Sequence, residues 1–288
     1  MKISHRTGVR IFIIIFLFIL CGISAANEVL LKYKSKIDWQ KGYVVSRGKS
    51  QIAFNEEGDS VDMLTGKAIP LNRAREINYN SAKEFAIAIM ADTIKSMRID
   101  SQNSLLDIMK TSNDTQRSIS DKINKNVVFK EYPAEFDSSV CEAKLNFGSI
   151  IASLPFDYPS DDFPVRTEVP ISTPYTALIV DGRGHNIKPM LFPSVYSDSG
   201  LEIFGRRFID SSQAVKRGMV SYCYNEDQAF IDARSGNSPY FAAAVDGLNN
   251  CPVISEKDTR RLLSSRQTIN NLKKCRVIFI IDKADLMQ

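Results

Sequence analysis

Histidine is almost missing from this sequence. There are two in 288 residues, and only His185 lies beyond the first few positions. A zinc site built on imidazoles is thereby excluded, and a single residue is left as a histidine base. The five cysteines include no CxxC pair, so a thiolate metal site has no local scaffold either. No P-loop, GxGxxG or GxSxG occurs, and no DxD follows Val180. No block of like charge is present, which argues against a nucleic-acid arm. Glycine (14) and proline (11) are too few for a collagen-like or low-complexity chain. No apolar run reaches the roughly 20 residues that a spanning helix needs.

What is present reads as a globular chain. The apolar fraction is 44% and the charged fraction 24%, enough for one large or two ordinary domains. Residues 1–26 stand apart in composition. Lys2, Arg6 and Arg10 precede ten unbroken apolar residues, Ile11 to Leu20, and Ser24-Ala25-Ala26 closes the segment with small side chains. This is the pattern of a secretory signal, with Ala26–Asn27 as the expected scissile bond. An uncleaved anchor and a lipid on Cys21 are the other readings, although Leu20 is large for the residue before an acylated cysteine. Removing the signal leaves 34 basic against 33 acidic residues. The positive balance therefore belongs mostly to the signal, and no nucleic-acid partner is implied. The expected compartment is the periplasm, with the protein soluble or peripherally attached to a membrane.

Four cysteines remain after the signal: Cys141, Cys223, Cys251 and Cys275. An even number in an exported chain is compatible with disulfides. Buried free thiols are the alternative, since a domain of this size folds without bridges.

Hydropathy patterning predicts an α+β protein of two domains, each a small sheet packed with helices. In the first, at 27–154, Trp39 to Ser50 reads as a strand. Ala82, Phe85, Ala86, Ile89, Met90, Ile94 and Met97 then form one apolar helical stripe. Residues 104–124 carry a weaker stripe with a polar middle. Val127 to Tyr132 and Cys141 to Phe147 follow as strands, the second alternating strictly as a half-buried strand does. Five prolines fall within 155–174, the expected linker. The second domain, 175–288, opens and nearly closes on fully apolar strands, YTALIVD and RVIFIID, as expected of strands buried on both faces.

Each of those strands ends in a carboxylate, Asp181 or Asp282. Ligands of open sheets bind at the carboxyl ends of parallel strands. If the two strands are neighbours, the pair could hold a hard cation, with His185 beside it. That arrangement would make a metal-dependent hydrolase, the enzyme reading of this chain. The plainer reading makes Gly182-Arg183-Gly184 a tight exit from a buried strand, with no catalytic residue, cofactor or metal.

Two stretches carry a resemblance. Gly42-Tyr43-Val44-Val45-Ser46-Arg47-Gly48, followed by the helix with Ala82, Ala86, Ala88 and Ala91, resembles the Lpp-twenty lipoprotein family, which includes FlgP-like flagellar outer-membrane lipoproteins. The likeness covers roughly 37–150. YTALIVDGRG, the hairpin around Val195-Tyr196-Ser197-Asp198-Ser199-Gly200, and CRVIFIID look like the domain that follows in some exported bacterial proteins, roughly 174–283. The resemblance implies a non-catalytic cell-envelope protein that works by protein–protein contact with envelope or flagellar partners. Leu20 before Cys21 departs from the lipoprotein pattern.

Overall fold

Small side chains on one strand let a helix lie unusually close in the first part of the chain. Strand β2 (Tyr43–Gln51) alternates, and its inward residues include Ser46, Gly48 and Ser50, all buried. Against them lies helix α1 (Leu71–Lys95), which offers Ala82 and Ala86, both fully buried. The Ser46 hydroxyl donates to the Ala86 carbonyl at 2.6 Å. The Asn78 amide donates to the Ser50 carbonyl and the Ser139 hydroxyl, both at 3.2 Å. A Cβ on Gly48 would lie 2.1 Å from the Ala82 carbonyl oxygen, so glycine is required there by space.

The computed structural model describes residues 35–132, 134–164 and 174–286. The signal at 1–26, its Ala26–Asn27 junction, Cys21 and positions 165–173 of the expected linker lie outside the described residues.

A four-stranded sheet has the order β1 (Lys36–Asp38), β2, β6 (Ser138–Asn146), β5 (Val128–Tyr132). Cys141, Ala143 and Leu145 of β6 point inward and are fully buried, as the alternation predicts. A short hairpin, β3 (Ala53–Phe54) with β4 (Ser60–Val61), follows β2. The weak stripe at 104–124 is two helices, α2 (Leu105–Met109) and α3 (Asn113–Asn126). Ser112 causes the break: its hydroxyl accepts the Thr115 amide at 3.0 Å and caps α3. Helix α4 (Phe147–Ser153) continues directly from β6.

The larger sheet has seven strands in the order β10 (Ser221–Cys223), β13 (Val277–Ile280), β7 (Leu178–Asp181), β11 (Tyr240–Leu248), β12 (Cys251–Ile254), β8 (Val195–Ser197), β9 (Glu202–Phe204). The first four are parallel. β7 and β13 occupy its interior, which is why their sequences are continuously apolar. β11 and β12 form an antiparallel hairpin through Asn249 and Asn250, both in the left-handed region, as a two-residue turn demands. Helices α5 (Ser211–Arg217), α6 (Glu226–Ile231), α7 (Glu256–Leu263), α8 (Arg266–Lys273) and α9 (Lys283–Leu286) complete this part. The Ser255 hydroxyl caps α7 through the Asp258 amide. The architecture is mixed α+β with several sheets.

The compact units are not consecutive in sequence. One comprises 46–89 and 129–143 of the described chain, and the other 35–45, 90–128 and 144–286. Residues 35–45 and 90–128, read with the N-terminal domain from sequence, thus cluster with the chain beyond Lys144. Backbone bonds give the reason: the Leu191 and Phe192 amides donate to the Arg98 and Ile99 carbonyls at 3.1 and 2.8 Å. The Arg98 guanidinium also donates to Asn250 at 2.8 Å. Trp39 packs edge-on against Phe147 and Tyr222, with ring centres 5.0 and 5.9 Å apart.

Candidate functional site

The C-terminal ends of the parallel strands bring the two sequence-predicted carboxylates to one edge. β7 and β13 are neighbours, and Asp181 stands opposite Ile280, two residues before Asp282. Each carboxylate is already engaged by the strand-exit loop. Arg183 folds back on Asp181, its Nε donating at 2.8 Å and its Nη2 reaching the second oxygen. The Arg183 amide also donates to Asp181, at 3.2 Å. The same guanidinium spans to Glu226 at 3.0 Å. Asp282 accepts the Gly184 amide at 3.0 Å.

The local sequence dictates this loop. Gly184 has φ +80°, a conformation glycine adopts without strain. Gly182 has no room for a side chain, because a Cβ would meet Ile187 at 2.8 Å. The hydrogen bonds from Arg183 hold the Asp181 carboxyl below its ordinary range, against the opposing effect of burial. The arrangement fixes a strand exit. Two carboxylates that already accept such donors have less capacity left for a cation, which would have to displace them. No group of three or more His, Cys, Asp or Glu side chains is placed to hold a metal among the described residues. His185 is held by its backbone: its amide donates to Gly182 at 3.2 Å. Its carbonyl lies so near Gly247 that a Cβ there would sit 2.2 Å away.

Cys141, Cys223, Cys251 and Cys275 are all buried free thiols. Burial pushes Cys223 and Cys275 up to about 12 and Cys251 up to about 11, and raises Cys141 as well. Such thiols are almost wholly protonated near neutrality, which makes them poor nucleophiles. Cys223 belongs to an apolar cluster with Ile179, Ala229, Ile278 and Ile280, so it serves as packing beneath the strand ends.

Residues 177–283 match the family model for the second domain of Treponema pallidum Tp0624. The match begins at the entry to β7 and ends just past β13, so it takes in the seven-stranded sheet and the Asp181–Arg183–Asp282 loop. It agrees closely with the 174–283 stretch singled out from sequence, and it covers less than half of the chain. No curated protein matches the chain. Among the described residues, no helix is long and apolar enough to cross a membrane.

A second feature was not visible in the sequence. The first compact unit carries an apolar groove of about 280 Å3, lined by Ile52, Val61, Met63, Leu64, Ile77 and Phe85 among others. Asn78 also lines it, and its Oδ1 is buried with no hydrogen-bond partner among the described residues. Leu64 is 96% exposed and Met63 53% exposed. They are adjacent in the Asp62–Lys67 turn, where periodicity carries no information about exposure.

Proposed function

We propose that this chain is a non-enzymatic, exported cell-envelope protein that works by protein–protein contact, taking an extended apolar segment of a partner into the groove of its first unit. Leu64 carries this reading. Its turn is well ordered: the Asp62 carboxylate accepts the Leu64 and Thr65 amides at 2.9 Å each, and the Gly66 amide donates to the Asp62 carbonyl at 2.7 Å. An ordered turn thus holds a nearly bare leucine in water at the rim of an apolar groove. Fully covering such a side chain is worth about 1.5–3 kcal/mol. At the other candidate site, Asp181 and Asp282 are occupied by the chain's own donors, which favours contact over catalysis.

The likeness of residues 37–150 to the Lpp-twenty family, together with the export pattern of residues 1–26, supports a periplasmic location and an envelope, flagellar or surface-assembly partner. A photo-crosslinking residue at Leu64 in the native host tests the docking site, with Glu56 as an exposed control. A discrete envelope adduct from position 64 alone is expected. No adduct, or the same adducts from both positions, sinks the reading. Mass spectrometry of the native protein tests export and should find an N-terminal peptide starting at or near Asn27. An intact Met1 or an acylated Cys21 overturns that part.

A further inference from the structure

The second compact unit contains a cavity of about 500 Å3 whose charged lining is cationic. Its walls come from the turn before β2, from α4, and from the end of α5 through the start of β10. Among the described residues four cationic side chains line it, Lys41, Lys216, Arg217 and Arg234, and no Asp or Glu does. Lys41, Lys216 and Arg217 are exposed, and none makes a salt bridge among the described residues.

Arg234 is the unusual member, being only 7% exposed. Its guanidinium donates to the carbonyls of Gly218 at 3.1 Å, of Cys275 at 3.0 Å, and of Arg217. Among the described residues no carboxylate bonds its guanidinium, although Asp232, which accepts the Arg234 amide at 2.7 Å, offsets part of its burial from a distance. A buried charge bonded only to neutral acceptors keeps a desolvation cost that a bound opposite charge would offset further. Burial accordingly pushes its pKa down to about 10. The remaining walls mix apolar surface, Trp39, Phe147 and Val220, with the polar side chains of Asn126, Asn146 and Ser149. The cavity is also preformed. Gly148 brings α4 so near α5 that a Cβ would lie 2.0 Å from the Val215 carbonyl oxygen, so the two walls cannot drift without losing that packing.

We infer that this cavity binds a small organic anion, a carboxylate or phosphate ester with an apolar body, its charge held by Lys216, Arg217 and Arg234 and its body against Trp39. Four positive charges converging on one concave, partly apolar site focus the field and attract a counter-ion. Charge-assisted bonds to such a group are roughly twice as strong as neutral ones. A site of this size suits a ligand of drug-like dimensions. The site is independent of the groove in the other unit, so either reading can fail alone.

Trp39 is the only tryptophan in the chain, so its fluorescence reports on the cavity directly. The full-length protein is titrated with cyclohexanecarboxylate, cyclohexyl phosphate and the neutral cyclohexanecarboxamide, by fluorescence and by calorimetry. A saturable change with at least one anion is expected, with the amide weaker by about tenfold or more. The tighter of the two anions identifies the headgroup class. The double variant Lys216→Glu with Arg217→Glu should lose about tenfold or more in affinity, with circular dichroism and melting unchanged. Should that variant misfold, Lys41→Glu takes its place with the same expectation. No saturable response to either anion, an equal response to the amide, or unchanged affinity in a folded variant overturns the inference.

Discussion

Gly48 and Ala82 are in backbone-scale contact: the space a Cβ would take on Gly48 is already filled by the Ala82 carbonyl oxygen, 2.1 Å away. The Ala86 amide nitrogen stands 2.6 Å from the same point. Both obstacles are main chain, so no rotamer change can relieve them. Gly48→Ala should therefore force the helix off the strand and cost about 1–3 kcal/mol in urea denaturation. Arg47→Ala, one residue away on the opposite face, loses a salt bridge to Glu142 from a half-exposed side chain and should cost less than about 1 kcal/mol. Equal costs for the two variants would show that the close approach is unimportant.

The loop at the strand ends should make stability depend on acid. Asp181 has a folded-state pKa below its ordinary value of 3.8, chiefly because Arg183 donates to it. A depressed carboxyl contributes stability above the unfolded pKa and loses it as pH falls through the folded one. Arg183→Ala should raise the Asp181 pKa toward 3.8 and flatten the acid limb of stability. The effect near neutrality should stay under about 1 kcal/mol, since Arg183 is 39% exposed and screened. Carboxyl chemical shifts followed through a pH titration measure it. An Asp181 that titrates identically in both proteins would contradict the pairing.

The buried thiols should resist modification while the chain is folded. With Cys223 and Cys275 pushed up to about 12, the reactive thiolate is scarce at pH 8, and access is closed as well. Ellman's reagent should react with these four cysteines slowly in buffer and fully in guanidinium. Reaction of any of them at the rate of a free thiol in the native protein would contradict the burial.

At the groove, stability and contact should separate. Leu64→Asp should change folding stability by no more than about 0.5 kcal/mol, as a substitution at a nearly bare surface site does, while abolishing the crosslinked adduct. Asp62→Ala removes the acceptor of two turn amides and should loosen the presentation of Leu64, seen as faster amide exchange at Leu64 and Thr65. A Leu64→Asp protein that loses several kcal/mol would place this leucine in the core instead.

Much of the local structure was legible from the sequence alone. The period of α1, the alternation of β6 and the doubly buried β7 and β13 each follow from side chains that must avoid water along a helix or strand of fixed geometry. The hairpin loop expected at Ser197-Asp198-Ser199-Gly200 falls one residue later, between β8 and β9, and the Ser255 cap likewise follows from local backbone chemistry. The sequence also implied that Asp181 and Asp282 end equivalent strands. Tertiary structure decided that those strands are neighbours, and that Arg183 and Gly184 take up the carboxylates. It also decided which segments cluster together. Residues 90–128 carry no readable mark of their association with the chain beyond Lys144: the bonds from Leu191 and Phe192 to Arg98 and Ile99 are backbone bonds, and the one from Arg98 to Asn250 joins polar side chains 152 positions apart. The convergence of Lys41, Lys216, Arg217 and Arg234 was invisible for a related reason. Residues nearly two hundred positions apart in the chain meet only when the sheet order brings them together, and a lone cation in a sequence looks the same whether it faces solvent or a cavity.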